Sequence, residues 1–232
     1  MRYARLLLIA MLLVRGPVST RAADSDLIAI DVLLLPDAPT AIRARAINAQ
    51  LRTDYPDGFA LDATHIPHIT LLQTFVLTAD LPAVERAVDA VFAGADLRRM
   101  QLRATGLFDG RVSSVGVTGI TIAPTPALTK LQQDISAAVA PFARHGGTAA
   151  AFVDTPVSPT IGWTINYVGT FGENASGDNY APHITTGIAR PDYVDQLAAA
   201  PFAEFGFKLS GAAIYQLGDV GTARKPLWTA PR

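Results

Sequence analysis

The chain has 232 residues, half of them hydrophobic and 17% charged, with 19 basic against 20 acidic side chains and no cysteine. That composition excludes general disorder, a disulfide framework, a thiol nucleophile and a thiolate metal site. It also lacks any run of Lys and Arg from which a surface for long nucleic acid, gripped through its phosphates, is usually built.

Arg2 and Arg5 precede the apolar run Leu6 to Val14, and small residues follow at Ala22-Ala23, so residues 1–22 read as an export signal. The apolar run is too short for a membrane span, which needs roughly 20 apolar residues, and no stable membrane anchor is expected. Loss of that segment leaves 15 basic against 20 acidic side chains, a mildly acidic protein expected in the periplasm or outside the cell. Such a surface suits a small or short phosphorylated substrate better than a polymer.

The nearly all-apolar stretch Leu27 to Leu35, closed by Pro36-Asp37, predicts a buried strand. Ala38 to Leu51 predicts a helix, ended by the turn residues Tyr55-Pro56-Asp57-Gly58. A strand over His68 to Leu77 follows, then a helix opened by Asp80 with Val84, Val88 and Val91 on one face, then a strand over Leu97 to Leu107. The order then returns, with a strand over Val115 to Ile122 and a helix capped by Thr125 with Pro126 at its first position. Leu128, Leu131, Ile135 and Val139 make its buried stripe. Arg144 to Pro159, rich in Gly, Ala, Thr and Pro, reads as a loop or lid, and Ile161 to Thr170 as an additional strand. His183 to Ala189 predicts a strand, Asp192 to Phe205 a helix, and Phe207 to Leu217 a last strand before a turn at Gly218 to Gly221.

The strongest feature is an internal echo: Pro67-His68-Ile69-Thr70 recurs as Pro182-His183-Ile184-Thr185, half a chain later. The chain has four histidines, and two of them sit in this echo. Side chains alternate along a strand, so His68 shares a face with Thr70, and His183 with Thr185, while Ile69, Leu71 and Ile184 point the other way. If the two halves are related by an approximate two-fold axis, two imidazoles and two hydroxyls meet across one cleft. In-line cleavage of a phosphodiester needs a base on the attacking oxygen and an acid on the departing one, and histidine serves either role near neutrality. Thr70 and Thr185 are placed to donate to the non-bridging oxygens. The sequence does not say which histidine is the acid.

These paired His-hydrophobic-Thr motifs resemble the signature of the two-histidine (2H) phosphoesterase superfamily, which includes cyclic phosphodiesterases and bacterial 2′-5′ RNA ligase-like proteins. The segments Thr64 to Leu71, Tyr215 to Gly218 and Gly221 to Lys225 look like an exported branch of that group. The resemblance spans residues 27–228 and implies an α+β fold in one bilobal domain, with two antiparallel sheets flanked by helices around a central cleft of pseudo-two-fold symmetry. In chain order the lobes fall at 27–110 and 111–228, with an exchange of terminal strands between them. It further implies acid and base roles for His68 and His183, phosphate binding by Thr70 and Thr185, and no metal or other cofactor. The expected activity is hydrolysis of 2′,3′-cyclic or 2′-linked phosphodiesters by a monomer, on a small cyclic phosphate, a nucleotide or a short RNA end. The alternatives are a non-catalytic phospho-ligand module of the same fold, and an RNA 2′-5′ ligase. Thr186 departs from the hydrophobic residue that often follows the second motif.

Other residues carry weaker readings. Each motif alone is compatible with an ordinary strand holding a satisfied histidine. His65 and His68 have the spacing of a metal pair, but on a strand that odd spacing puts them on opposite faces. His145, beside Gly146-Gly147, reads as a solvated loop residue. Trp163, Tyr167, Tyr180 and Tyr215 are candidates for stacking on a base, Tyr180 foremost, against the plainer reading that aromatic residues on strands are core. Arg224, with Lys225, is a candidate phosphate ligand or a solvated basic pair. The glycine-rich turn 218–221 lacks the Lys-Ser/Thr of a nucleotide-triphosphate loop.

Overall fold

The computed structural model of the protein describes residues 26–230; the expected export signal at 1–22 lies outside them. Among the described residues no helix is long and apolar enough to cross a membrane.

Seven strands form one antiparallel ladder: β1 (Leu27–Pro36), β2 (Ile69–Leu77), β3 (Gln101–Val112), β4 (Val115–Ile122), β5 (His183–Ala189), β6 (Phe205–Leu217) and β7 (Ala223–Thr229). Their order is β2-β1-β6-β3-β4-β5, with β7 also on β6. The 13-residue β6 belongs to two sheets. Its first residues, Phe205 to Lys208, pair with β3, and the remainder pairs with β1 and β7. Two antiparallel sheets are therefore joined along one strand, and the motif strands β2 and β5 stand at opposite ends of the ladder.

Five helices cover the sheets: α1 (Ala38–Asp54), α2 (Leu81–Ala93), α3 (Pro126–Val139), α4 (Ile161–Asn174) and α5 (Pro191–Ala199). Asp37 caps α1 by accepting from Thr40 N at 3.1 Å, and Thr125 caps α3 by accepting from Leu128 N at 3.2 Å, ahead of Pro126. Helix α1 lies against β5, α2 packs on α3, α3 and α4 lie against β2, and α5 against β3 and β4. Exchanging β1 with β4, β2 with β5 and β3 with β6 leaves the strand order unchanged when read backwards. The correspondence is one of connectivity, and α4 and β7 have no counterpart in it. Strand β3, from the first half of the chain, pairs with β4 of the second, and most of β6 pairs with β1 of the first.

Three elements differ from the sequence reading. Ile161 to Thr170 is not a strand but the core of α4: its β-branched and aromatic residues favour a strand locally, but Thr164, Val168 and Phe171 recur at helical spacing and are buried. The last helix stops at Ala199, leaving a short extended approach to β6. Strand β7 is absent from the sequence-based expectation; its Pro226 is tolerated because β7 pairs on one side only. In α2, Phe92 completes the buried face and Val91 is only half-buried.

Candidate active site

Each motif histidine is fixed in the same way. His68 precedes β2 and His183 opens β5, and in both the ring Nδ1 lies 2.8 Å from the carbonyl two residues earlier, Ile66 O and Ala181 O. A carbonyl oxygen can only accept, so Nδ1 carries the hydrogen in both rings and Nε2 is left for chemistry. Ile69 and Ile184, between histidine and threonine, are fully buried and anchor the two strands in the core.

The curled sheet brings its two ends together. The Tyr180 hydroxyl, just ahead of β5, donates to Thr70 O on β2 at 2.9 Å. His68, Thr70, His183 and Thr185 line one cavity of about 550 Å³. Its walls are largely apolar and aromatic, including Phe108, Val117, Ile122 and Trp163, and Arg111 is its single Lys or Arg side chain. That guanidinium already pairs with Asp195. Phe108 meets the His183 ring edge to face with centroids 5.0 Å apart. Gly119, opposite, leaves room for this: a Cβ there would lie 2.8 Å from Phe108 Cε1.

Below this floor lies a residue the sequence reading passed over. Asp31, in the middle of β1, is fully buried. Its Oδ2 accepts from Thr70 Oγ1 at 2.7 Å and from Gln73 Nε2 at 3.0 Å, and lies 3.4 Å from His68 Nε2. A single charged residue within a buried apolar run was the available signal. Gln73 gave none, because three residues from Thr70 it belongs on the opposite face of a regular strand. A bulge, in which Leu72 faces Val32 and Thr70 faces Leu33, brings both to the same carboxylate.

The two halves of the site are consequently unlike. Thr70 spends its hydrogen on Asp31, whereas Thr185, half-buried, has a hydroxyl free of protein partners among the described residues. Burial opposes charge on the His68 ring, but the Asp31 contact and its negative charge outweigh it and hold the pKa above the ordinary imidazole value. For His183 burial dominates, the Ala181 carbonyl opposes it only in part, and the His68 charge pushes further down, so its pKa lies below the ordinary value.

The other candidate residues divide. Trp163 and Tyr167 stack at 4.9 Å along α4 and line the cavity, Trp163 with a third of its surface exposed. Tyr180 also lines it but is tied up as the link between the two edge strands. Burial, with the Asp31 charge nearby, raises its pKa, and raises that of Tyr167 to about 12. Tyr215 is only partly buried and packs against a small cluster on β1, β6 and β7. Arg224 is not at the histidines: it lines a neighbouring cavity and pairs with Asp154 at 3.0 Å. Thr186 donates to Thr118 O at 3.0 Å, and its carbonyl accepts from Asn48 Nδ2 at 2.9 Å, so the departure from a hydrophobic residue is satisfied internally. Gly187 beyond it, at φ +152°, has no space for a Cβ beside Asn48 and Leu51.

The loop Arg144 to Pro159 is strapped down rather than hanging free. Arg144 N donates to Phe75 O, Val153 N to Leu217 O and Gln216 Nε2 to Ala151 O, at 2.8 to 3.0 Å. Asp219 gathers the hydroxyls of Ser158, Thr160 and Thr164, pinning the end of that loop to the turn whose Val220 and Gly221 line the cavity. Among the described residues no group of three or more His, Asp or Glu side chains is arranged to hold a metal ion.

Fold and site together define an α+β protein with paired imidazoles facing one cavity from the two ends of a curled antiparallel ladder. The model of the 2′-5′ RNA ligase superfamily matches residues 36–217, and the chain belongs to that superfamily, the 2H phosphoesterases that its repeated motif resembles. Comparison with curated proteins finds no match. Among solved structures the chain is similar to E. coli LigT complexed with 3′-AMP, at 15% identity and a TM-score of 0.43, over 89% of this chain and 99% of that one. It is similar also to TT0787 of Thermus thermophilus, at 14% identity and a TM-score of 0.46, over 88% and 97%.

Proposed function

We propose that the protein is a phosphodiesterase that hydrolyses 2′,3′-cyclic or 2′-linked phosphodiesters by paired-histidine acid–base catalysis without a metal. One observation carries the reading: two imidazoles, each with Nδ1 committed to a carbonyl and Nε2 left for chemistry, line a single cavity. One Nε2 takes a proton from water as its oxygen bonds to phosphorus. The other protonates the sugar oxygen as the P–O bond to it breaks, giving a 2′-phosphate. The free Thr185 hydroxyl is the donor for a non-bridging oxygen.

The cavity supports a small substrate. It offers the Thr185 hydroxyl as a donor, aromatic walls for a base or another flat apolar group and, among the described residues, no uncommitted Lys or Arg for further phosphates. With residues 1–22 directing export, such substrates are met in the periplasm or outside the cell. The test is incubation with a panel of 2′,3′-cyclic nucleotides and 2′-5′ dinucleotides in excess EDTA, with products separated by chromatography. Conversion to 2′-phosphates is expected. Turnover lost in EDTA and restored by zinc, binding with no conversion, or joining of RNA ends in place of hydrolysis each contradicts the proposal.

A further inference from the structure

Asp31 has no part in the paired-histidine scheme, yet it is the most constrained charged group near the reacting centre. It is fully buried, and one oxygen, Oδ2, faces Thr70 Oγ1, Gln73 Nε2 and His68 Nε2, while Oδ1 has no partner. A buried carboxylate without a counter-charge is costly, and the two neutral donors it holds do not supply one. The only Lys or Arg lining the cavity, Arg111, belongs to Asp195. Among the described residues His68 is thus the group in reach that can neutralise it.

The geometry points to Asp31 as a positioning residue that keeps the proton on His68 Nε2, so that His68 enters the reaction as the acid and His183 as the base. Because Nδ1–H is spent on Ile66 O, the second proton of the imidazolium resides on Nε2, the nitrogen beside the carboxylate on a ring that lines the cavity. The 3.4 Å separation is longer than the 2.7–2.9 Å of a tight charge-assisted hydrogen bond, so the proton is held without being locked away from a departing oxygen. Thr70 and Gln73 hold the carboxylate in place. His183 has no carboxylate in contact with its ring; burial and the His68 charge favour its neutral, proton-accepting form and outweigh the opposing pulls of the Ala181 carbonyl and the Asp31 charge.

The other titratable groups around His68 do not compete for this role. Tyr167 from α4 and Tyr180 before β5 keep their phenolic protons well past neutrality. His65, which shares a small cavity with His68, is stacked on Phe59 and held below the ordinary imidazole value by burial and by Arg224.

The acid role rests on the hydrolase reading, whereas the proton placement does not, so the experiment separates them. NMR titration of His68 and His183 in the substrate-free full chain is expected to show His68 with the higher midpoint. In Asp31→Asn, which retains an acceptor for Thr70 and Gln73, the His68 midpoint should fall by about one to three pH units. The alkaline limb of the kcat/KM profile for a 2′,3′-cyclic nucleotide should move down with it, a shift that a purely structural role would not produce. His183 titrating above His68 in the wild type overturns the proposal even if Asp31→Asn fails to fold, as does an unmoved His68 in a folded variant. The expected titration order with no turnover of any cyclic phosphate overturns the acid role and the hydrolase reading, and leaves Asp31 as the counter-ion of His68.

Discussion

The two copies of the motif share four residues, a place at the start of an edge strand and a backbone anchor for the ring, but they differ in what stands behind them. Behind His68 and Thr70 is a buried carboxylate that draws a proton to the ring and takes the hydrogen of the hydroxyl. Behind His183 and Thr185 are Phe108 and glycine-lined backbone, where burial holds the ring's pKa down and the hydroxyl has no protein partner among the described residues. Identical side chains on equivalent strands thus have their pKa values shifted in opposite directions, because the environment and not the motif sets proton affinity.

The sharpest way to break this comparison is to remove each ring. His68→Ala and His183→Ala should each lower kcat by about 10²- to 10⁴-fold, and the double variant should be little worse than the weaker single one, since the pair acts as a unit. Steady-state rates on a 2′,3′-cyclic nucleotide check this. The threonines should separate next. Thr185→Val should cost about 10²-fold in kcat through loss of a phosphate donor. Thr70→Val should cost less in rate but about 1–2 kcal/mol in urea unfolding, since Asp31 loses a buried donor. Equal effects of the two would mean that the copies are equivalent. On the α4 wall, Trp163→Ala should raise KM by roughly tenfold with kcat nearly unchanged if a base stacks there.

The smallest effect is on stability. The His68 pKa is raised on folding, so its contribution is fully present below the ordinary imidazole value and fades as pH rises through the raised one. The His183 pKa is lowered, so the unfolded chain takes up that proton first and stability declines as pH falls below the ordinary value. Unfolding midpoints measured from acid to alkaline pH should lose their alkaline decline in His68→Ala and part of their acid decline in His183→Ala.

Where local pattern and tertiary demand agree, the sequence was a sufficient guide: β4, α3 and β5 lie where alternation, the Thr125-Pro126 cap and the Pro-His start place them. It misled where they disagree. The segment that forms α4 has strand-forming residues, and the helical spacings Trp163-Tyr167-Phe171 and Thr164-Val168-Phe171 spoke for a helix. In the site, the histidines were legible because chemistry repeats in the sequence. The Asp31–Gln73 floor was not, because it depends on a bulge in β2 and on pairing between strands about 40 residues apart. Arg224 looked available for phosphate and is instead matched to Asp154 across a loop.

The central claim is that two rings from opposite ends of the sheet address one phosphorus. Titrating a 2′-nucleotide, the expected product, into protein with ¹⁵N-labelled histidine tests it directly. Both Nε2 resonances, of His68 and of His183, should move together and saturate at one equivalent of ligand. Movement of one ring alone, or saturation of the two at different ligand concentrations, would contradict it.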